Sequence, residues 1–331
     1  MIILTANELR KALPMGEAIA AMKRAFVALS SGHADVPLRM RFPISRHDGV
    51  SLLMPAYVLE DPINEALAIK AVSIFPGNIE RGLPLIHATV LVFEADTGRL
   101  EALIEGSSLT AIRTGAASGA ATDLLSRPES RVAAIFGAGV QGRTQLEAVC
   151  TARSIQTVWV YDDLPERARA FSAELAGREP IPKDVLQAVT PQEAVRDADI
   201  ICTATTSIEP VFDDIDVKPG VHINAVGAYT PEMQEIPPDT VTRALVVVDS
   251  RPACLAEAGD IVQPIRQGLM KPEDIHAELG EIIAGHKPGR SDEKQVTFFK
   301  SVGVAVQDAV AARLAMQNAY KLGLGKQVKW Q

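Results

Sequence analysis

Residues 132–142 read VAAIFGAGVQG, five apolar residues running into Gly137-Ala138-Gly139-Val140-Gln141-Gly142. A buried strand that ends in glycines at this spacing, followed by a helix-like run over 143–152, is the opening of a βαβ unit. The glycines have separate duties. Gly137 permits the tight turn, Gly139 lets the backbone approach a diphosphate, and Gly142 lets the helix lie close to the strand. The first amides of the helix, at the positive end of its dipole, hold phosphates. The second strand, TVWVY, ends at Asp162, 20 residues after Gly142. A carboxylate there accepts from the ribose hydroxyls of a dinucleotide and repels a 2′-phosphate. Asp163 follows, and Arg167 comes only later, on the helix. The expected cofactor is NAD, with NADP as the alternative.

At 331 residues the chain exceeds what one core usually organises, so two domains are expected. After residue 132, short apolar strands (199–204, 221–226, 244–248, 296–299) alternate with helices (165–176, 191–198, 252–257, 278–284). That alternation predicts the α/β class, a Rossmann-type doubly wound parallel sheet. The first hundred residues read differently. Thr5 and Glu8 suit a capping box for a helix over 6–12, and Ala18, Ile19, Met22, Ala25, Phe26 and Leu29 recur at helical spacing. Strands are expected over 35–43, with Arg39 and Arg41 on one face, and over 51–58, 65–75, 88–94 and 100–104, with a hairpin turn at Asp96-Thr97-Gly98. This part reads as α+β with a mostly antiparallel sheet. Residues 109–125 form a small-residue helix whose only base is Arg113. The last helix, 304–322, is long and Ala-rich, and either returns to the first domain or covers a subunit interface.

A net charge of -8 without a basic run argues against a nucleic-acid or anionic-membrane partner. No apolar run approaches the roughly 18 residues of a membrane span, and the start MIILTANELRKALP, which lacks a basic region followed by a long apolar stretch, is not expected to act as a secretory signal. Cys150, Cys202 and Cys254 are scattered in apolar segments and read as reduced core thiols of a cytoplasmic protein. The histidines show no metal-ligand spacing, and no metal site is expected.

Ligands of a doubly wound sheet lie beyond the carboxyl ends of its strands, here residues 137–142, 203–206, 227–230 and 300–303. The first domain offers Arg39, Arg41, Lys70, Arg81 and Arg113. Two or three such cations in a cleft would clamp a carboxylate, which points to a small carboxylic acid as substrate. Arg41 and Arg81 read as surface charges. Lys70, within an apolar run, and Arg113, in a helix that reads as buried, stand where an unpaired charge is costly.

Five stretches in order carry a resemblance over nearly the whole chain: IKAVSIFPGN (69–78), LTAIRTGAASG (109–119), GAGVQG, HINAVGAYTPEMQEI (222–236) and VTFFKSVGVAVQD (296–308). The chain resembles the ornithine cyclodeaminase/μ-crystallin family. The resemblance implies a homodimer, with residues 1–115 and 305–331 as a substrate-binding and dimerisation domain and 116–304 as the dinucleotide-binding domain. It places Arg39, Lys70 and Arg113 at the substrate carboxylate, with Val302 beside the substrate. It puts Gly137, Ala138, Gly139, Val140, Gln141, Gly142, Asp162, Thr205, Val226, Gly227, Ser301 and Arg113 at or beside the cofactor.

Members of that family include ornithine cyclodeaminases, alanine dehydrogenases, ketimine reductases and a hydroxyproline dehydratase activity. In the deaminases the turn after the VHINAVG-like strand carries an Asp that handles the amine or water. Here it reads Gly227-Ala228-Tyr229. A phenol with a pKa of about 10 is a poor base at neutral pH. Deamination needs a base to activate water, whereas reduction of a preformed cyclic imine needs a held carboxylate, a hydride and at most one proton. The expected activity is reduction of Δ1-pyrroline-2-carboxylate or Δ1-piperideine-2-carboxylate to the L-amino acid. Ornithine cyclodeamination, alanine dehydrogenation and a non-catalytic, crystallin-like role are the alternatives. Lys70, Arg113 and Tyr229 are the candidate catalytic residues, Tyr229 either donating a proton or packing beside the nicotinamide.

Overall fold

The structure, a computed structural model, describes residues 1–59 and 64–330. Residues 60–63 and 331, which the expected first domain includes, lie outside the described residues. In chain order the main elements are β1 (Ile2–Leu4), α1 (Ala6–Ala12), α2 (Met15–Ser30), β2 (Ala34–Asp35), β3 (Met40–Ile44), β4 (Gly49–Leu59), β5 (Glu65–Ile74), β6 (Ile86–Phe93), β7 (Leu100–Glu105) and α3 (Gly106–Leu125). There follow β8 (Val132–Phe136), α4 (Val140–Ala152), β9 (Thr157–Tyr161), α5 (Pro165–Leu175), β10 (Asp184–Gln187), α6 (Pro191–Val195), β11 (Ile200–Thr203), β12 (His222–Ala225), α7 (Pro238–Arg243) and β13 (Leu245–Val248). The last are α8 (Arg251–Glu257), α9 (Gly259–Arg266), β14 (Ala277–Glu278), α10 (Leu279–Ile283), β15 (Thr297–Lys300), α11 (Ala305–Leu322) and β16 (Lys326–Gln327). Residues Met1–Arg113 with Val304–Gln331 form one compact unit, and Thr114–Gly303 a second.

In the first unit, β4, β5, β6 and β7 make an antiparallel ladder extended by β1 and β16 on one side and by β2 and β3 on the other. Period-two alternation decides what each strand buries. Leu52, Met54, Ala56 and Val58 of β4, Ala66, Ala68 and Val72 of β5, and Val90 and Val92 of β6 are buried. Helix α11 packs on β4, β5 and β6, with α2 against α11. Lys70 falls on this inward face, paired with Met54 and Val90. The opposite face, with Leu53, Tyr57, Leu59, Leu67, Ile69 and Leu91, is half-exposed or exposed. The strand expected over 35–43 is interrupted. Arg39 lies in an irregular segment before β3, so strand alternation does not place it beside Arg41. Thr5 and Glu8 meet as anticipated, the Glu8 carboxylate accepting from the Thr5 amide at 2.9 Å and its hydroxyl at 2.7 Å.

The second unit is a wholly parallel sheet in the order β10-β9-β8-β11-β12-β15-β13-β14. Strand order reverses between β8 and β11, the switch point at which dinucleotides bind in such sheets. Alternate residues feed two cores. Ala134, Phe136, Ile201 and Ile223 join one, while Ala133, Ile135, Ile200 and Val158 join the other. Both faces are therefore covered, as the continuous apolar runs require. Phe136 packs between Phe212 and Tyr161 at centroid distances of 5.5 and 5.7 Å. Truncating it to Ala is expected to cost about 3–5 kcal/mol. The polar residues inside the central strands find buried partners: His222 meets Thr297 at 2.9 Å and Asn224 at 3.1 Å, and Asn224 donates to Thr122 of α3 at 2.9 Å. Burial pulls the His222 imidazole down to about 3, so it is neutral and serves the core.

Candidate active site

The glycine turn closes as its spacing dictates. Gly137 has φ +95°, and a Cβ at Gly142 would strike the Gly137 carbonyl oxygen. Gly139 is exposed, N-caps the 13-residue α4, and has nothing within 4 Å of where a side chain would start. Its backbone edge is thus open to a ligand. Val140 is exposed, and the buried side-chain oxygen of Gln141 meets no donor among the described residues. Asp162 is already engaged, accepting from the Ala138 amide at 2.9 Å and the Leu164 amide at 3.0 Å. It therefore pins the turn as well as standing where a ribose would meet it. Arg143, not anticipated, donates to the carbonyls of Ala138 and Gly139 and pairs with Glu174 at 2.7 Å. An open helix N-terminus, a glycine with open space where a side chain would start and an acid at the end of β9 fit a dinucleotide.

Three further carboxylates shape the other strand ends, and sequence reasoning gave none of them a role. Glu235, fully buried, accepts from the Thr205 amide at 2.6 Å, the Thr205 hydroxyl at 2.9 Å, the Gly227 amide at 2.8 Å and the Ala228 amide at 3.1 Å. It braces the loops after β11 and β12 against each other. Behind it, Asp260 accepts from the Glu235 and Ile236 amides and from Lys300 Nζ at 2.7 Å. Burial pushes Glu235 up, opposed by the Lys300 charge. Burial pulls Lys300 down, but Asp260 and Glu235 outweigh it and Lys300 is raised. Asp249, just after β13, accepts from the Ser301 hydroxyl at 2.7 Å and from the amides of Val302 and Gly303 at 3.0 and 2.8 Å. Ser301 thus has its proton committed to Asp249 and keeps only acceptor capacity. Val226, Tyr229 and Val302 are half-buried. Burial raises the Tyr229 phenol, which is neutral at physiological pH.

The first unit gathers the cations. Lys70 Nζ lies 2.6 Å from Asp308 Oδ2, and Arg113 Nε donates to Asp308 Oδ1 at 3.0 Å. Arg113 also donates through NH1 to Gln307 Oε1 at 3.0 Å, the same oxygen that accepts the Val304 amide at 2.8 Å. All four side chains are buried: Lys70 2%, Arg113 5%, Gln307 0% and Asp308 1% exposed. Among the described residues Asp308 is the only carboxylate Lys70 pairs with, so the ammonium keeps N–H groups for a ligand. With Nε and one NH1 hydrogen of Arg113 used, its NH2 edge is available as well. Two cations and one anion leave a net charge of +1, suited to a single carboxylate presented to both free edges. Burial pulls Lys70 down to about 8, countered by Asp308 and reinforced by the charges of Arg113 and Arg39. The opposite charges of Lys70 and Arg113 outweigh burial for Asp308 and hold it below the usual carboxylate range. Arg39 is half-buried, whereas Arg41 and Arg81 are exposed. Among the described residues no group of His, Cys, Asp and Glu could hold a metal ion.

Comparison with known proteins accords with this geometry. A model of the ornithine cyclodeaminase/mu-crystallin family matches residues 1–322. The chain is 40% identical to the Δ1-pyrroline-2-carboxylate reductase of Bacillus cereus over 331 residues, 100% of both chains. Among solved structures it superposes on the Thermococcus litoralis Δ1-pyrroline-2-carboxylate reductase in complex with NADH and L-proline with a TM-score of 0.93, at 42% identity, covering 99% of this chain and 100% of that one. An archaeal alanine dehydrogenase dimer with bound NAD gives a TM-score of 0.91 at 31% identity, covering 100% of this chain and 99% of that one. A family model that spans residues 1–322, and a relative 40% identical over the full length of both chains, mean that the chain belongs to the ornithine cyclodeaminase/mu-crystallin family.

Proposed function

We propose that this protein is an NAD(P)H-dependent reductase of a cyclic imino acid, Δ1-pyrroline-2-carboxylate or the six-membered Δ1-piperideine-2-carboxylate, giving the L-amino acid. The observation that carries the reading is the net-positive clamp of Lys70, Arg113 and Asp308, together with a loop after β12 that offers a phenol where deaminases carry an acid. The names of the relatives support it.

Lys70 and Arg113 grip the substrate carboxylate, and Arg39 adds positive charge from outside the pair. Holding the imine by this group fixes its orientation, which is the main service a reductase provides. When bound, the dihydronicotinamide supplies the hydride taken up by the imine carbon, and one proton from water completes the secondary amine. The turn at residues 137–142 takes the diphosphate. Asp162 accepts from the ribose hydroxyls and disfavours a 2′-phosphate, so NAD is the preferred carrier. Glu235 and Asp249 shape the backbone of the loops that flank the cofactor.

The decisive assay follows oxidation of NADH and NADPH with the two cyclic imines, and ammonia release from ornithine and lysine. Turnover of an imine with a reduced nicotinamide is expected. Ammonia release from ornithine without imine reduction would replace this reading by cyclodeamination.

We further infer a homodimer. The outward face of the β4–β7 sheet carries Leu53 and Leu59, each 36% exposed, beside half-buried Leu67, Ile69 and Leu91. A contiguous apolar face of this kind is usually covered in solution. The archaeal alanine dehydrogenase neighbour is a dimer. Light scattering at micromolar concentration is expected to give twice the chain mass, and a monomer would overturn the inference. No helix among the described residues is long and apolar enough to cross a membrane.

A further inference from the structure

We propose that Asp308 is the positioning residue of the carboxylate clamp, one buried anion on α11 that holds Lys70 of β5 and Arg113 of α3 in register for a single substrate carboxylate. The inference rests on the substrate class proposed above and adds a role for a residue that never meets substrate.

Three observations carry it. Each Asp308 oxygen serves a different cation, Oδ2 facing Lys70 at 2.6 Å and Oδ1 facing Arg113 at 3.0 Å. The separation of the two cations is therefore set by the width of one carboxylate. Arg113 is held at a second point by Gln307, and Gln307 is itself fixed by the Val304 amide at the start of the same helix. Two anchors on adjacent residues of α11 stop the guanidinium from rotating and leave its NH2 edge uncommitted. Finally, Asp308 is the only anion among the described charged groups that bear on Lys70. Arg113 from α3 and Arg39 from the segment before β3 are cations, and the strand partners Met54 and Val90 are uncharged.

A consequence for pH follows. The clamp binds carboxylate while Lys70 is an ammonium, and Lys70 loses its proton near pH 8. Affinity is full below that value and declines as pH rises through it. Asp308 favours the charged form, so removing its charge moves the decline to lower pH. Bound carboxylate also favours the ammonium, so the limb in kcat lies at higher pH than the limb in kcat/KM.

The test measures KM and kcat for Δ1-pyrroline-2-carboxylate, the Kd of L-proline by calorimetry with NADH present, the Kd of NADH, and Tm, each from pH 6 to 10. The wild type, Asp308→Asn, Asp308→Glu and Lys70→Arg are compared. Asp308→Asn is expected to raise KM and the L-proline Kd on the order of a hundredfold. It should also move the alkaline limb down by about one unit or more, while the NADH Kd changes by less than about threefold. Lys70→Arg is expected to lose the limb, because a guanidinium does not titrate there. Asp308→Glu keeps the charge but lengthens the anchor, so it should keep the limb near its wild-type pH while raising KM. It serves if Asp308→Asn does not fold. An unshifted limb and unchanged KM in Asp308→Asn would overturn the proposal. So would equal losses of NADH and L-proline affinity, which mark a merely structural role, or a limb in Asp308→Glu that moves as far as a neutral residue would move it. A wild type that neither reduces the imine nor binds L-proline would overturn the substrate reading instead, which a failed variant in an active background would leave intact.

Discussion

Each unit buries a carboxylate at its centre, and the two put it to opposite use. In the first, Asp308 binds two side-chain cations and leaves their outer edges charged and uncommitted. In the second, Glu235 binds three backbone amides and a hydroxyl, and what it presents is the shape of two loops. On the function proposed above, the first arrangement would recognise by charge and the second by backbone position. The difference suits the proposed ligands: a small imino acid offers one anionic handle, whereas a dinucleotide is long and is read by many weak contacts along a pre-shaped surface. Substitutions in the first unit should therefore change few parameters by large factors, and substitutions in the second should spread smaller losses over cofactor binding.

Arg113→Ala tests the first half most severely. It removes one grip on the substrate and leaves Asp308 with Lys70 alone. A loss of about a thousandfold in kcat/KM is expected, within the roughly 2–5 kcal/mol seen when one member of a buried hydrogen-bonded charge pair is truncated. NADH affinity should be nearly unchanged. A variant with wild-type kcat/KM would remove the clamp from the account. A parallel loss of NADH binding would mean that Arg113 serves the cofactor too, a role the family resemblance allows.

Glu235→Gln tests the second half. The amide retains one oxygen but turns an NH2 group toward backbone donors, leaving buried N–H groups without acceptors. The NADH Kd is expected to rise by about ten- to a hundredfold, from roughly 1–3 kcal/mol for such groups. KM for the imine at saturating NADH should stay within about threefold. Unchanged cofactor affinity would show that the loops hold their shape without the brace.

The two halves also differ in how far they could be read from the chain. The strand–glycine–helix turn was legible because backbone geometry admits few residues there: Gly137 adopts a positive φ, and Gly142 has no room for a Cβ. Lys70 and Arg113 were legible as charges that break an apolar pattern. Asp308 breaks one too, between Val306 and Ala309, and the signal was there to be taken, but α11 reads first as an Ala-rich apolar helix. Glu235 and Asp260 escaped notice, and Lys300 and Asp249 were read only as strand ends without their partners, for a different reason. Each sits in a turn, a short helix or a strand end where a charge is unremarkable, and its partners come from segments that only the folded sheet brings together. The strands β1, β10, β14 and β16 were missed because two to four residues carry no periodicity.

Asp162 lies between the two modes, a side-chain charge that also holds backbone. Asp162→Ser is expected to shift the NADPH-to-NADH preference by about tenfold, but it also strips an acceptor from the Ala138 amide and so weakens both cofactors. Asp162→Asn separates the effects, because it removes the charge and keeps an oxygen for Ala138. An unchanged preference in Asp162→Asn would mean that a group other than this carboxylate discriminates against the 2′-phosphate.

The smallest effect is expected at Tyr229, where charge and backbone arguments both fall away. Burial raises its phenol above the ordinary value of about 10, so it is a weaker acid than free tyrosine and no base at all near neutrality. A cyclic imine that enters protonated, or takes its proton from water, needs nothing from it. Tyr229→Phe should keep kcat within about threefold, since general acid catalysis by a positioned group would be worth roughly a hundredfold or more. A loss of that larger size, with KM and NADH affinity unchanged, would make the phenol the proton donor. Tyr229→Asp probes the complementary question, because it restores the carboxylate that deaminases carry on this loop. If a base here is what separates the two chemistries, that variant should release ammonia from ornithine above the wild-type level. If it does not, the reductase character resides in the rest of the substrate pocket rather than in this one side chain.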